Sequence, residues 1–201
     1  LQKFDLVDIY VVFFTAPLIV SLLSAYFLKD ILTTKGILLM LLSFGSIVYS
    51  LGPSMRIFSL DLIFPIVPPI CWALYQFFTK VVSGDNDPFA AIFYTSILGA
   101  IIFSIFIFFN WTPLEKNIFW LYLIFLGVAG FVSHSLIIYA IQLSNLSFVT
   151  NFQYSQLVWS TIINFLIFGV PLDYNKIVGV IGIILFGIMF IKSEGKKKVN
   201  L

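Results

Sequence analysis

The chain has 201 residues, of which 61% are hydrophobic and 10% charged, with a mean hydropathy of +1.09. Soluble chains average about 45–50% apolar and about 25% charged, so 11 basic and 9 acidic side chains are too few to cover a soluble surface of this size. Disorder needs low hydrophobicity, and a transmembrane β-barrel needs alternating strands, so the long unbroken apolar runs leave the helical membrane class.

The charges divide the chain. None occurs between Asp8 and Lys29, Lys35 and Arg56, Asp61 and Lys80, or Asp87 and Glu115. The stretch from Lys116 to Asp173 carries no interior charge and is long enough for two crossings. A last run goes from Lys176 to Lys192. With about 20 apolar residues needed per crossing, these runs predict seven spans: 6–28, 34–52, 59–79, 88–110, 117–142, 145–169 and 175–192. Turn chemistry lies between them: Lys29-Asp30, Gly52-Pro53, Ser83-Gly84-Asp85-Asn86-Asp87-Pro88, Asn110-Trp111-Thr112-Pro113, Ser144-Asn145 and Gly169-Val170-Pro171. Short loops make consecutive helices antiparallel neighbours.

Lys and Arg set the orientation. A cytoplasmic C-terminus places Lys29, Lys35, Lys80, Lys192, Lys196, Lys197 and Lys198 inside, and Lys3, Arg56, Lys116 and Lys176 outside. The basic tail, residues 193–201, reads as a topology anchor rather than a site for anionic lipid. The net charge of +2 forms no stripe for nucleic acid. The one cysteine, Cys71, lies in an apolar run and reads as a packing residue. One histidine, no carboxylate pair inside a span and no phosphate-binding glycine loop argue against an enzyme, a metal site or a bound cofactor.

The first two spans resemble the last two. Phe14-Thr15-Ala16-Pro17-Leu18-Ile19-Val20-Ser21 lies over Gln153-Tyr154-Ser155-Gln156-Leu157-Val158-Trp159-Ser160, with Leu18 on Leu157 and Ser21 on Ser160. Gly36 and Gly45 follow the first copy, and Gly179 and Gly187 the second. An odd number of crossings separates the copies, so they are inverted, as in many transporters.

These residues resemble the drug/metabolite transporter superfamily, EamA-like branch. Phe14-Thr15-Ala16-Pro17-Leu18 with Leu28-Lys29-Asp30 looks like its fourth helix, and Trp72-Ala73-Leu74 the start of its second repeat. Gly130, His134 and Tyr139-Ala140 resemble the eighth, Phe152 to Trp159 with Phe168-Gly169 the ninth, and Gly179, Gly182 and Gly187 the tenth. The resemblance implies an all-α polytopic bundle of seven helices from a five-plus-five inverted repeat, with the first three helices absent. Residues 1–55 would close the first repeat, and 56–192 would form the second. About three further helices are then expected upstream, which the upstream coding sequence would reveal. One departure stands out: Gly169-Val170-Pro171 lacks the acid the family commonly has after the ninth helix.

On span 145–169, Gln153, Gln156, Ser160 and Asn164 share one helical stripe. Amides facing lipid lose hydrogen bonds, so the stripe faces protein or a water-filled cavity. It either hydrogen-bonds substrate or ties helices together. Pro65, Pro69, Trp72 and Gln76 share a face of span 59–79, which is either a proline-bent cavity wall, with Trp72 as a stacking surface, or a kinked packing helix. His134 lies near the face of Gly127 and Gly130, where small residues allow close helix approach; it is a packing residue or a proton-coupling one. Gln156 and Trp72 are expected to face a shared central cavity, with Tyr154, Ser160 and His134 as further lining. The function implied is inner-membrane transport of a small organic metabolite, an amino acid, related compound or drug, outward by alternating access. The partners implied are that substrate and the lipid bilayer. The alternative is a non-transporting membrane subunit whose polar faces bind partner helices.

Overall fold

A computed structural model describes residues 6–30, 32–52, 63–82, 88–110, 118–169 and 171–195. The protein is an all-α membrane bundle. The helices are α1 (Leu6–Phe13), α2 (Ala16–Phe27), α3 (Thr34–Leu51), α4 (Ile63–Val82), α5 (Pro88–Asn110), α6 (Ile118–Leu143), α7 (Leu146–Asn151), α8 (Ser155–Phe168) and α9 (Tyr174–Gly195). A 3-10 turn, Phe152–Tyr154, joins α7 to α8. Each expected span is present, two of them as broken rods.

The first break has a local cause. Pro17 has no N–H to give the Phe13 carbonyl, so the first rod turns at Phe14-Thr15 and restarts at Ala16. The Thr15 N–H and Oγ1 both donate to the Val12 carbonyl, at 3.0 and 2.6 Å. In the sixth rod, Thr150 Oγ1 donates to the Ser147 carbonyl at 3.3 Å, although similar back-bonds in α3 and α6 leave those helices unbroken. The next residues tighten into the 3-10 turn. In the sequence repeat the two breaks fall at the same place, with Phe14-Thr15 over Gln153-Tyr154.

Among the described residues, five helical stretches are long and apolar enough to cross a membrane: Ile9–Phe27, Thr34–Leu51, Ile92–Phe109, Ile118–Leu143 and Tyr174–Glu194. Two rods remain. One is α4, with Pro68 and Pro69 inside it; the other is the α7–α8 rod with its 3-10 turn. α9 runs past Lys192 to Gly195, so the helix takes in Glu194, beyond the expected end of the span. Gly52 and Gly169 end α3 and α8 in the left-handed conformation that glycine accepts without a Cβ penalty.

The chain forms two compact units, Leu1–Phe77 with Asn145–Leu201, and Phe78–Ser144. In the first, α3 packs along α9 and α2 along α7. Gly179 meets Ser46 and Ser50, Gly182 meets Ser46, and Glu194 meets Gly36, so α3 and α9 run antiparallel over their whole length. Small residues at these crossings let the backbones approach, the usual device where lipid removes the hydrophobic drive between helices. Around them Phe14, Leu39, Ile47, Tyr154, Ile183 and Phe190 form the buried core. Gly45 and Gly187, paired with these glycines in the sequence reading, have open space where a Cβ would lie.

In the second unit α5 packs on α6. Lys80 Nζ donates to the carbonyls of Ile141, Gln142 and Ser144 at 2.6, 3.3 and 2.8 Å. The last carbonyls of a helix lack intrahelical donors, and an ammonium there also opposes the helix dipole. Cys71 does not pack as expected; it is exposed on the α4 face that also presents Val67, Ile70 and Leu74.

Candidate functional site

A cavity of about 280 Å³ lies in the first unit, between α8, the end of α3, the start of α9 and the first rod. Gln156, Ser160, Thr161 and Asn164 line it from α8. These positions recur every three or four residues, so the helix holds them on one face. Ser50 adds a buried hydroxyl from α3, and Tyr10 and Phe14 close the wall from the first rod. Ser160 and Thr161 both donate to the Leu157 carbonyl, at 3.0 and 2.7 Å. Their oxygens keep lone pairs for a guest. Gln156 and Asn164 offer amide donors and acceptors. The one charged residue in the lining, Lys176, pairs with Asp173 at 3.2 Å. Such a wall suits a neutral or zwitterionic molecule bound through hydrogen bonds, with apolar contact from Phe14, Leu157 and Leu172.

The expected stripe divides at the 3-10 turn. Gln153 lies inside that turn, where each residue rotates about 120° rather than about 100°. Its Nε2 donates to Gln76 Oε1 at 2.7 Å, a helix–helix hydrogen bond to α4. Gln76 is fully buried. Gln156, Ser160 and Asn164, beyond the turn, stay together on the cavity wall.

Within the first unit, Trp72 and Tyr154 lie away from this cavity. Trp72 is half-buried, stacked on Tyr75 with ring centroids 5.5 Å apart, and tilted against Phe13 at 6.4 Å. It does not line the cavity of Gln156. Tyr154 is buried between Phe14 and Phe44, at 6.4 and 6.5 Å. It borders a second cavity of about 280 Å³ together with Ser43, Asn151 and Gly187. His134, on α6 in the second unit, is exposed. Among the described residues nothing lies within 4 Å of a Cβ at Gly127 or Gly130. The sequence reading missed Thr161, Ser50 and Tyr10. Thr161 adjoins Ser160 and was within reach of the same helical projection. Ser50 and Tyr10 come from other rods, and only tertiary packing brings them in.

Apolar rods define a multi-pass membrane protein, with a charge-poor cavity that carries hydrogen-bonding side chains along its α8 wall. The EamA-like transporter family matches residues 60–193, about two thirds of the chain. The chain belongs to that family, within the drug/metabolite transporter superfamily, and is a membrane transporter of small molecules. No curated protein and no solved structure matches it.

Proposed function

We propose that the protein carries a small organic metabolite, an amino acid, a related compound or a drug, across the inner membrane by alternating access. The observation that carries this reading is the cavity of Gln156, Ser160, Thr161 and Asn164, which gathers four hydrogen-bonding side chains on one face of an otherwise apolar rod. Gln156 and Ser160 are its substrate-binding residues, because both belong to the side chains that an amide, amine or carboxylate could reach by hydrogen bonding. The charge-poor lining disfavours a substrate held by an ion pair. The broken rods next to it are the discontinuous helices on which such sites are commonly built. Outward transport is proposed from the resemblance noted in the sequence. Uptake and efflux of labelled amino acids by liposomes carrying the protein test the reading. Transport of none of a broad panel, with the protein folded, would favour the helix-binding subunit instead.

The excess of Lys near one set of loops further supports a cytoplasmic C-terminus. In a Cys71→Ser background, an impermeant thiol reagent added to intact cells is expected to modify Lys116→Cys and to leave Lys196→Cys untouched. The opposite pattern would reverse the orientation.

A further inference from the structure

Two carboxylates tie one loop to two distant helices. Asp30 follows the turn after α2, where Lys29 takes a positive φ of 56°. Its Oδ2 accepts from Ser24 Oγ at 2.9 Å and from the Ser147 N–H, in the first turn of α7, at 3.2 Å. Ser147 Oγ donates back to the Asp30 carbonyl at 3.5 Å. Three residues further on, Thr33 is held from another side. Glu194, near the end of α9, is 7% exposed. Its Oε1 accepts from the Thr33 N–H at 3.2 Å and from the Thr33 hydroxyl. That same hydroxyl accepts from the Gly36 N–H at 3.0 Å, as the N-cap of α3. Gly36 makes room, since a Cβ there would overlap the Glu194 carboxylate. Asp30 thus accepts an N–H from the first turn of α7, and Glu194 holds Thr33, the N-cap residue of α3, each carboxylate reaching a helix start on another rod.

The opposite end of this unit is built differently. The Gln156 cavity runs toward it, reaching Asn164, Pro171 and Lys176. Among the described side chains there, Asp173 and Lys176 pair with each other three residues apart on one rod. In the sequence repeat, Gly169 stands where Asp30 stands in the first copy, so that position has no carboxylate to reach across.

We propose that Asp30 and Glu194 form a latch that sets the resting state of the protein. It holds the loop end shut and leaves the Gln156 cavity in communication with the opposite face. Each transport cycle must release the latch, because alternating access requires the closed end to open. The proposal rests on the transport reading, but its test measures a resting equilibrium and uses no substrate. Failed uptake by the parent protein would therefore leave the latch result standing.

The test uses the solubilised protein with Cys71→Ser and a single reporter cysteine. Met40→Cys lies buried one turn beyond Gly36 on the latch side; Ser160→Cys lies in the cavity. The rate of modification by a hydrophilic thiol reagent is measured at each. The double variant Asp30→Asn with Glu194→Gln is expected to speed labelling of Met40→Cys at least tenfold and to slow labelling of Ser160→Cys. Gly36→Ala keeps both carboxylates but displaces Glu194, and should move both rates in the same directions. Unchanged rates in variants that melt at lower temperature would reduce the contacts to helix caps and overturn the proposal. Both rates rising together would mean a loosened fold and overturn it as well. Should the double variant not fold, Gly36→Ala decides, and no change in either rate there sinks the latch.

Discussion

Gly179→Leu is expected to lower the melting temperature of the solubilised protein by about 10 °C, while Gly187→Leu leaves it nearly unchanged. The two glycines sit on the same helix, eight residues apart, and look alike in the sequence. A Cβ at Gly179 would lie 2.8 Å from the backbone oxygen of Ser46 and 2.9 Å from Ser50 Oγ. The first of these is a main-chain atom of α3 and cannot rotate away, so the two rods must separate. That separation spreads through the core they share, loosening Leu39, Ile47, Ile183 and Phe190. Overpacking of this kind costs about 1–3 kcal/mol and sometimes more. For a chain of this length about 1 kcal/mol moves the melting temperature by about 2–4 °C. Gly187 has nothing within 4 Å of its Cβ position and borders the second cavity, of about 280 Å³. A leucine there has room, and its helix propensity exceeds that of glycine by less than ~1 kcal/mol. A thermal melt of both variants checks this. Equal losses at the two positions would show that α3 and α9 do not meet at Gly179.

Most of the rods were legible because charge is expensive in hydrocarbon, so Lys29, Lys80 and Lys176 fall close to rod ends; the uncharged break between α6 and α7 was read from Ser144-Asn145 instead. The break at Phe14-Thr15 was only half legible. Pro17 was visible, but its consequence falls four residues upstream, on the carbonyl it fails to serve. The 3-10 turn had neither proline nor glycine to announce it. A projection at 100° per residue across it therefore put Gln153 on the wrong side, although the residues beyond it were placed together correctly. The glycines show a different limit. Composition says that Gly45, Gly179, Gly182 and Gly187 permit close approach, but which of them is used depends on the facing rod. The pairings of Asp30 with Ser147 and of Thr33 with Glu194 join residues 117 and 161 positions apart. No local pattern encodes such a pair, because neither partner's neighbours change in its absence.

Gln156→Leu and Gln153→Leu should separate function from stability on one rod. Leucine is close to glutamine in size and removes only its hydrogen bonds. Gln156 faces the cavity, and no hydrogen bond from its side chain to another part of the protein is seen among the described residues. Its loss should leave the melting temperature within about 2 °C, since exposed positions away from special features change stability by under about 0.5 kcal/mol. If it holds substrate, one hydrogen bond worth about 1–1.5 kcal/mol disappears, and uptake at sub-saturating substrate falls about tenfold. Gln153 does the opposite. Its amide is bonded to Gln76 at 2.7 Å, and Gln76 is fully buried, so the substitution strands a polar group between α4 and the 3-10 turn. Helix–helix hydrogen bonds in membranes average about 0.6 kcal/mol, with a maximum near 1.7. Gln153→Leu should therefore lower the melting temperature by a few degrees, and uptake only in proportion to the folded protein that remains. The two measurements together, uptake normalised to folded protein and a melt in detergent, decide the matter. Intact uptake in Gln156→Leu alongside a lowered melting temperature would make the α8 face a packing surface and remove Gln156 from the site.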